Sequence, residues 1–336
     1  MFNSRKLISI LQIPRLISQV VQQLNTQKKF LKENIRPIIN ELLQHNDGSI
    51  DETDLKKIYQ YYGLAVPAIL GEAFCLLHGT KMTPQKRLAA TCQGAATGLF
   101  DDFFDKQELS DELLQEFIDH PETVSAQNSN HELFLTLYRL GLKNLPSRSI
   151  SIEHIHRVFQ VQLETRKQAL PGLSEAEIKD ITLRKGALSL LLYRTSFAFP
   201  IDAEEQAMLY KLGGVMQLSN DIFDVYKDSR DGIHTLVTDA TSITGLRKYF
   251  VEIYDDAVST AYRCPYPRKQ ITEFLQLLSL SIFSRTMVCL DQFEKNESRS
   301  GGVFTPAQYT REALICDMDK AVNKWRSVTY LIRQGL

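Results

Sequence analysis

A chain of 336 residues, 43% apolar and 24% charged, has the composition of a globular protein and could form one large domain or two average ones. Its formal charge of −1 supplies no overall basic field to attract nucleic acid or anionic lipid, so any anion site must be local. Five scattered cysteines, odd in number and without a C-x-x-C pair, fit a reducing, cytoplasmic setting better than a disulfide framework, and read as core filler.

In chain order, Arg5 and Lys6 precede a short apolar run that Pro14 and Arg15 interrupt, with no small-residue cleavage site after it. An amphipathic helix packed on the body is expected there, rather than a signal peptide. No other stretch approaches the ~20 apolar residues of a spanning helix, so no integral membrane segment is expected. Apolar residues then recur at helical spacing: Ile35, Ile38, Ile39 and Leu42; Ile69, Leu70, Phe74 and Leu77; Ala187, Leu188, Leu191 and Leu192. Breaks fall at 45–48, 121–130, 144–147, 171–172, 200, 228–239, 265–267 and 296–306, cutting the chain into about nine to eleven helices. Ser174 to Glu177 reads as a capping box, and Asp51 or Thr53 as the cap of the helix before Tyr59. Asp47-Gly48 and Asp231-Gly232 lack alternating flanks, so no sheet is expected. With no polar linker and no repeat, residues 1–336 read as a single all-α domain, with N-terminal helices over 1–50. The irregular stretches 228–239 and 296–306 are candidate lids, against the plainer reading of exposed connections.

Two acidic clusters interrupt this apolar background. Gly98-Leu99-Phe100-Asp101-Asp102-Phe103-Phe104-Asp105 sets Asp101 and Asp105 one turn apart on a helix face, with Asp102 on the flank. Asn220, Asp224 and Asp228 follow at i, i+4, i+8 and project from one face of a second helix. Oxygen ligands spaced this way suit a hard cation such as Mg²⁺, which keeps waters and substrate phosphates in its shell.

Asp101-Asp102-x-x-Asp105 resembles the first aspartate-rich motif of the class I isoprenoid synthases. Met216-Gln217-x-x-Asn220-Asp221-x-x-Asp224 resembles the second motif of the trans-prenyl diphosphate synthases. Gln162-x-Glu164 and Arg184-Lys185-Gly186 resemble, more loosely, the Gln-x-x-Asp and Lys-Thr segments that lie between them. Order and spacing agree over about residues 60–240. The resemblance implies an antiparallel helical bundle around a central active-site cavity, with the acidic motifs facing each other across its mouth. It implies a catalytic set of Asp101, Asp102, Asp105, Asn220, Asp224 and Asp228. Of these, Asp101, Asp105, Asn220, Asp224 and Asp228 would hold three Mg²⁺ ions with bound diphosphate.

Within that superfamily the magnesium cluster neutralises a departing diphosphate, and aromatic faces stabilise the allylic cation left behind. Phe100, Phe103, Phe104, Tyr193, Phe197, Phe199 and Phe223 are candidates, although aromatics at helical spacing are ordinarily core. Chain elongation requires a second, basic site for isopentenyl diphosphate. Here the upstream segment reads Tyr62-Gly63-Leu64-Ala65-Val66-Pro67, and after Lys106 no arginine occurs before Arg139. The expected activity is therefore that of a terpene synthase, a lyase that ionises one prenyl diphosphate, then cyclises or quenches the cation and releases pyrophosphate. Trans-prenyl diphosphate synthase and squalene or phytoene synthase chemistry are the enzymatic alternatives, and an inactive helical binding protein is the non-enzymatic one. Lys185 leads the expected diphosphate-binding cations, followed by Arg184, Arg194, Lys227 and Arg230, with Arg299 and Arg311 on loops. A homodimer is compatible with the resemblance; a nucleic-acid partner is not expected.

Overall fold

The computed structural model describes residues 12–105, 109–198 and 200–333, with Asp105 and Arg333 described by their backbone alone. The basic-apolar segment 5–11 and Phe199 lie outside these residues. Every regular element among the described residues is helical. In chain order the α-helices are α1 Ile13–Phe30, α2 Arg36–Leu43, α3 Glu52–Tyr59, α4 Tyr62–Ala65, α5 Glu72–Leu77, α6 Pro84–Asp105, α7 Asp111–Asp119 and α8 Ser129–Asn144. They continue as α9 Arg148–Thr165, α10 Glu175–Arg194, α11 Ala203–Asp231, α12 Ile243–Ala261, α13 Arg268–Leu278, α14 Ser284–Arg299, α15 Arg311–Leu314 and α16 Ala321–Arg333. Single π-helical turns at Leu31–Ile35, Val66–Gly71 and Ser279–Phe283 subdivide longer helical runs and account for three of the segments beyond the expected helices.

The helix starts follow from local chemistry. Asp51 caps α3 in a box with Asp54, and Ser174 and Glu177 exchange hydrogen bonds ahead of α10. Asn128 and Asp202 accept from the third residue of α8 and α11. Gly232 ends α11 in the left-handed conformation, φ 69°, where a side chain would be strained.

The helices gather into two compact units. One comprises residues 16–157 and 192–200, and the other is built chiefly from 158–191 and 201–333. In the first, α6 lies against α8, α3 and α4. Its centre is aromatic: Phe103 meets Phe117 and Phe134 edge-on, and Phe134 stacks on Phe100 and Tyr138. In the second, α11 packs along α12 and against α14, and α14 against α16. Buried Phe250, Phe283, Phe293 and Phe304 form stacked pairs there. All five cysteines are buried free thiols, as core filler should be.

Two helical stretches, Glu52–Leu77 and Arg268–Arg299, are long and apolar enough to cross a membrane by length and composition. They escaped notice because a π turn carries the helix past Pro67 and another links α13 to α14. More than half of each is buried within the fold, and core helices pass the same test.

Both candidate lids are anchored connections. Gln168 and His234 exchange hydrogen bonds of 2.7 and 2.9 Å, and Val237 is buried beneath the first loop. The Phe304 amide donates to the Thr241 carbonyl at 3.1 Å in the second, and the Phe304 ring stacks on Phe293.

Candidate functional site

The first acidic cluster ends α6. Asp101 is half-buried and accepts from the Tyr62 hydroxyl at 3.2 Å. Asp102 is buried and forms an ion pair with Lys57, whose ammonium also donates to the Gly98 carbonyl at 3.1 Å. A Cβ on Gly98 would lie 2.6 Å from the Tyr62 ring, so the absent side chain is what lets Tyr62 lie across the motif. The Asp105 side chain lies outside the described residues. Phe100, Phe103 and Phe104 are buried in the aromatic core, where neighbouring rings take up their faces; their ordinary reading as core holds. Tyr193 is buried near Thr97 and Asp101, with its hydroxyl pKa raised mainly by burial and further by the Asp101 charge. Phe197 packs edge-on against Phe74.

The second cluster lies mid-way to the end of α11, on a helix seated unusually close to α10. An ideal Cβ on Gly186 would stand 2.0 Å from the Gly213 carbonyl oxygen, and one on Gly213 would stand 2.3 Å from that of Gly186. Backbone thus meets backbone at Gly213, and Lys185, next to the crossing on α10, acts on the charges of Asp221 and Asp228, about two and four turns beyond Gly213. Asp221 is buried, accepts from Gln217 at 2.8 Å and from Thr182 at 3.4 Å, and burial raises its carboxyl to about 6 against the Gln217 hydrogen bond and the Lys185 charge. Burial, then the charges of Asp221 and Asp224, raise Asp228 to about 7; Lys227 and Lys185 oppose this. Asn220 is exposed and donates to Asp224 at 3.1 Å. Phe223 is half-buried with the Arg285 guanidinium over its ring, 5.7 Å from the centroid.

The partly buried polar stripe of α11 is accordingly Gln217, Asp221, Asp224 and Asp228, spaced four, three and four. Asp221, absent from the expected ligand set, is its best-shielded carboxylate. Helical spacing alone could have found it. Lys57 and Tyr62 were also missed, and no local signal could have paired them with residues some forty positions later.

The expected diphosphate-binding cations separate clearly. Lys185 is half-buried beside Asp221 and Asp228. Arg184 is spent on Glu164, which it grips through both terminal nitrogens, and on Asp180 at 2.7 Å. Arg194 belongs to the unit of residues 16–157 and is fully buried, donating to the Phe197 carbonyl at 3.3 Å and meeting His78 at 3.1 Å; its place is structural. Lys227 and Arg230 are exposed, Arg230 lying over the Tyr226 ring. Arg299 and Arg311 are exposed.

Among the described residues no three His, Cys, Asp or Glu side chains converge into a ready-made metal cage. Mg²⁺ asks less of a protein, because one or two carboxylates plus waters and substrate phosphate complete its shell. The α11 stripe offers such oxygens in Asp221, Asp224 and Asp228, two of which have their carboxyl pKa raised by burial first and by neighbouring acids after it. Comparisons with protein-family models, with curated proteins and with solved structures find no match.

Proposed function

We propose that this chain is a magnesium-dependent enzyme of the class I isoprenoid synthase type, acting on a single allylic prenyl diphosphate as a terpene synthase. The observation that carries the reading is the α11 stripe, in which Asp221, Asp224 and Asp228 crowd one partly buried face beside Lys185. Such crowding costs folding free energy and makes sense where a cation and its anionic ligand relieve it. Asp224 and Asp228 on α11, with Asn220 at the solvent edge and Asp221 beside them, are the residues of that unit that would hold magnesium; Asp101 on α6 is the candidate of the first motif. Magnesium supplies charge neutralisation for the leaving diphosphate. Lys185, whose charge acts on Asp221 and Asp228, would add a cation to the same end.

The departure of the segments flanking the first motif from the basic motifs of chain-elongating enzymes supports one substrate rather than two. Arg87, the nearest cation upstream of the first motif, pairs with Glu72, and Lys57 is engaged with Asp102. Arg139, the first arginine after it, donates to the carbonyls of Pro121 at 2.6 Å and Val124 at 3.5 Å and pairs with Glu132.

The test is thermal unfolding with magnesium and pyrophosphate, alone and together. A ligand that binds only the folded state raises the melting temperature by mass action, and pyrophosphate at 100 times its dissociation constant adds about 2.7 kcal/mol. The combination should stabilise the wild type, and Asp224→Asn should abolish the gain. No shift in the wild type, or equal shifts in both proteins, would remove the basis for the reading.

A further inference from the structure

Helix α16 is anchored to the body by one face. There the Asn323 amide donates to the Asp317 carbonyl at 2.8 Å, Arg326 pairs with Asp291 at 2.6 Å, and the Ser327 hydroxyl meets that of Ser284 at 2.6 Å, while Tyr330 donates to Asp291. At about 100° per residue, Ala321, Val322, Trp325, Val328, Thr329 and Ile332 form a stripe on the opposite side, all within about 60° of Trp325. Trp325 is 69% and Val322 60% exposed, the two most exposed large hydrophobic side chains among the described residues. An indole standing in water on an anchored helix forgoes the burial that such rings usually supply. The charge around the stripe is one-sided. From Lys320 to Arg333 the sequence has four cations and no acid, and Lys324 and Arg326 fall about 100° to either side of Trp325. Lys320 and Lys324 are exposed, and the 3.3 Å contact of Lys324 with Asp319 lies in open solvent, where such a pair contributes little.

We infer that the outer face of α16 docks on an anionic lipid surface, with Trp325 and Val322 entering the headgroup boundary and Lys320 and Lys324 meeting lipid phosphates. An apolar stripe that carries a tryptophan and is bordered by cations is what such a boundary accepts. A second copy of the same face would bring like charges together, which disfavours it as the occupant. The contact is peripheral, because the 13 residues of α16 fall short of the ~20 a spanning helix needs. The inference goes beyond the enzymatic reading and does not depend on it.

Because Trp325 is the chain's single tryptophan, its emission reports on this face directly. The full chain is titrated with vesicles of phosphatidylcholine alone, and of phosphatidylcholine and phosphatidylglycerol in equal parts, with binding read by emission and by co-sedimentation. Without lipid, Trp325 should emit as a hydrated ring. Anionic vesicles should shift that emission to the blue and bind the protein at least about tenfold more tightly than zwitterionic ones, an advantage lost at high salt. Lys320→Gln with Lys324→Gln should weaken co-sedimentation with anionic vesicles at least about tenfold, and so should Trp325→Ala. All three side chains are exposed, so the melting temperature should stay at the wild-type value. Equal binding to both kinds of vesicle, no binding to either, or unchanged binding by the variants would each overturn the inference. Co-sedimentation with an unshifted emission would place the lipid contact elsewhere on the chain. A blue-shifted emission before lipid is added would mean that the face is already covered, by the chain itself if ultracentrifugation finds a monomer and by a second copy if it finds a dimer. Either result also overturns the inference, and the enzymatic reading stands in every case.

Discussion

Replacing Gly213 by alanine tests the helix crossing that sets Lys185 against the acidic stripe. The added Cβ would start 2.3 Å from the Gly186 carbonyl oxygen and 2.6 Å from the Ala187 Cα, against 3.4 Å or more for an ordinary contact. Both obstacles are backbone, so no side chain can rotate away, and α10 and α11 must part by about 1 Å. Overpacking of this kind costs about 3 kcal/mol, at the upper end of its usual range because the atoms that must yield are the least compliant. In a chain of this size that corresponds to a fall in melting temperature of about 5 °C or more. Gly245→Ala is the matched control: it lies in the first turn of α12, where a Cβ would meet only Ser242 at 3.9 Å. There alanine should be neutral or stabilise by about 0.5 kcal/mol, through its better helix propensity and the reduced freedom of the unfolded chain. Differential scanning calorimetry of the two variants compares them directly, and the magnesium–pyrophosphate shift should shrink in Gly213→Ala because Lys185 moves with α10. A Gly213→Ala protein that melts within 1 °C of wild type would refute the backbone-on-backbone crossing.

Three further outcomes follow from the site. Asp228, raised to about 7 by burial and its acidic neighbours, has a folded pKa above its unfolded value near 3.9, so the ligand-free protein loses stability as pH rises through that window and levels off above it. The full shift corresponds to about 4 kcal/mol, which partial solvent access reduces to about 2 kcal/mol; Asp228→Asn should therefore raise the melting temperature at pH 8 more than at pH 5, and calorimetry showing a flat or reversed difference would count against the crowding. Lys185→Ala should weaken pyrophosphate binding about tenfold in the presence of magnesium, measured by isothermal titration calorimetry, with far-ultraviolet circular dichroism unchanged. Isopentenyl diphosphate should not be required for substrate consumption; longer diphosphates formed only in its presence, detected by mass spectrometry, would turn the reading toward a prenyltransferase.

What was legible in the sequence was local. The caps at Asp51 and Ser174 and the breaks over 121–130 and 228–239 depend on residues within a few positions of one another, and the structure places them there, with α11 running on to Asp231. The two acidic helices were legible for the same reason, since helical spacing alone puts their carboxylates on a face. Within α11 the choice of face drifted by one position: the i, i+4, i+8 set led to exposed Asn220, whereas the stripe through Asp221 carries the buried charge. Contacts between distant segments were out of reach. Nothing near Lys57 announces Asp102, and nothing near Arg194 distinguishes an anion-binding guanidinium from one sealed against Phe197 and His78. The aromatic run around the first motif similarly reads as a cation-stabilising wall until Phe103 is seen packed edge-on against Phe117 and Phe134.

The most direct test of the account is pyrophosphate release from geranyl, farnesyl and geranylgeranyl diphosphate, each with magnesium and without isopentenyl diphosphate, by wild type and by Asp224→Asn. The account predicts release from at least one of the three, abolished by chelation and reduced at least a hundredfold in Asp224→Asn, with a hydrocarbon or alcohol formed in step with it. No consumption of any of them, or equal release by both proteins, would contradict it.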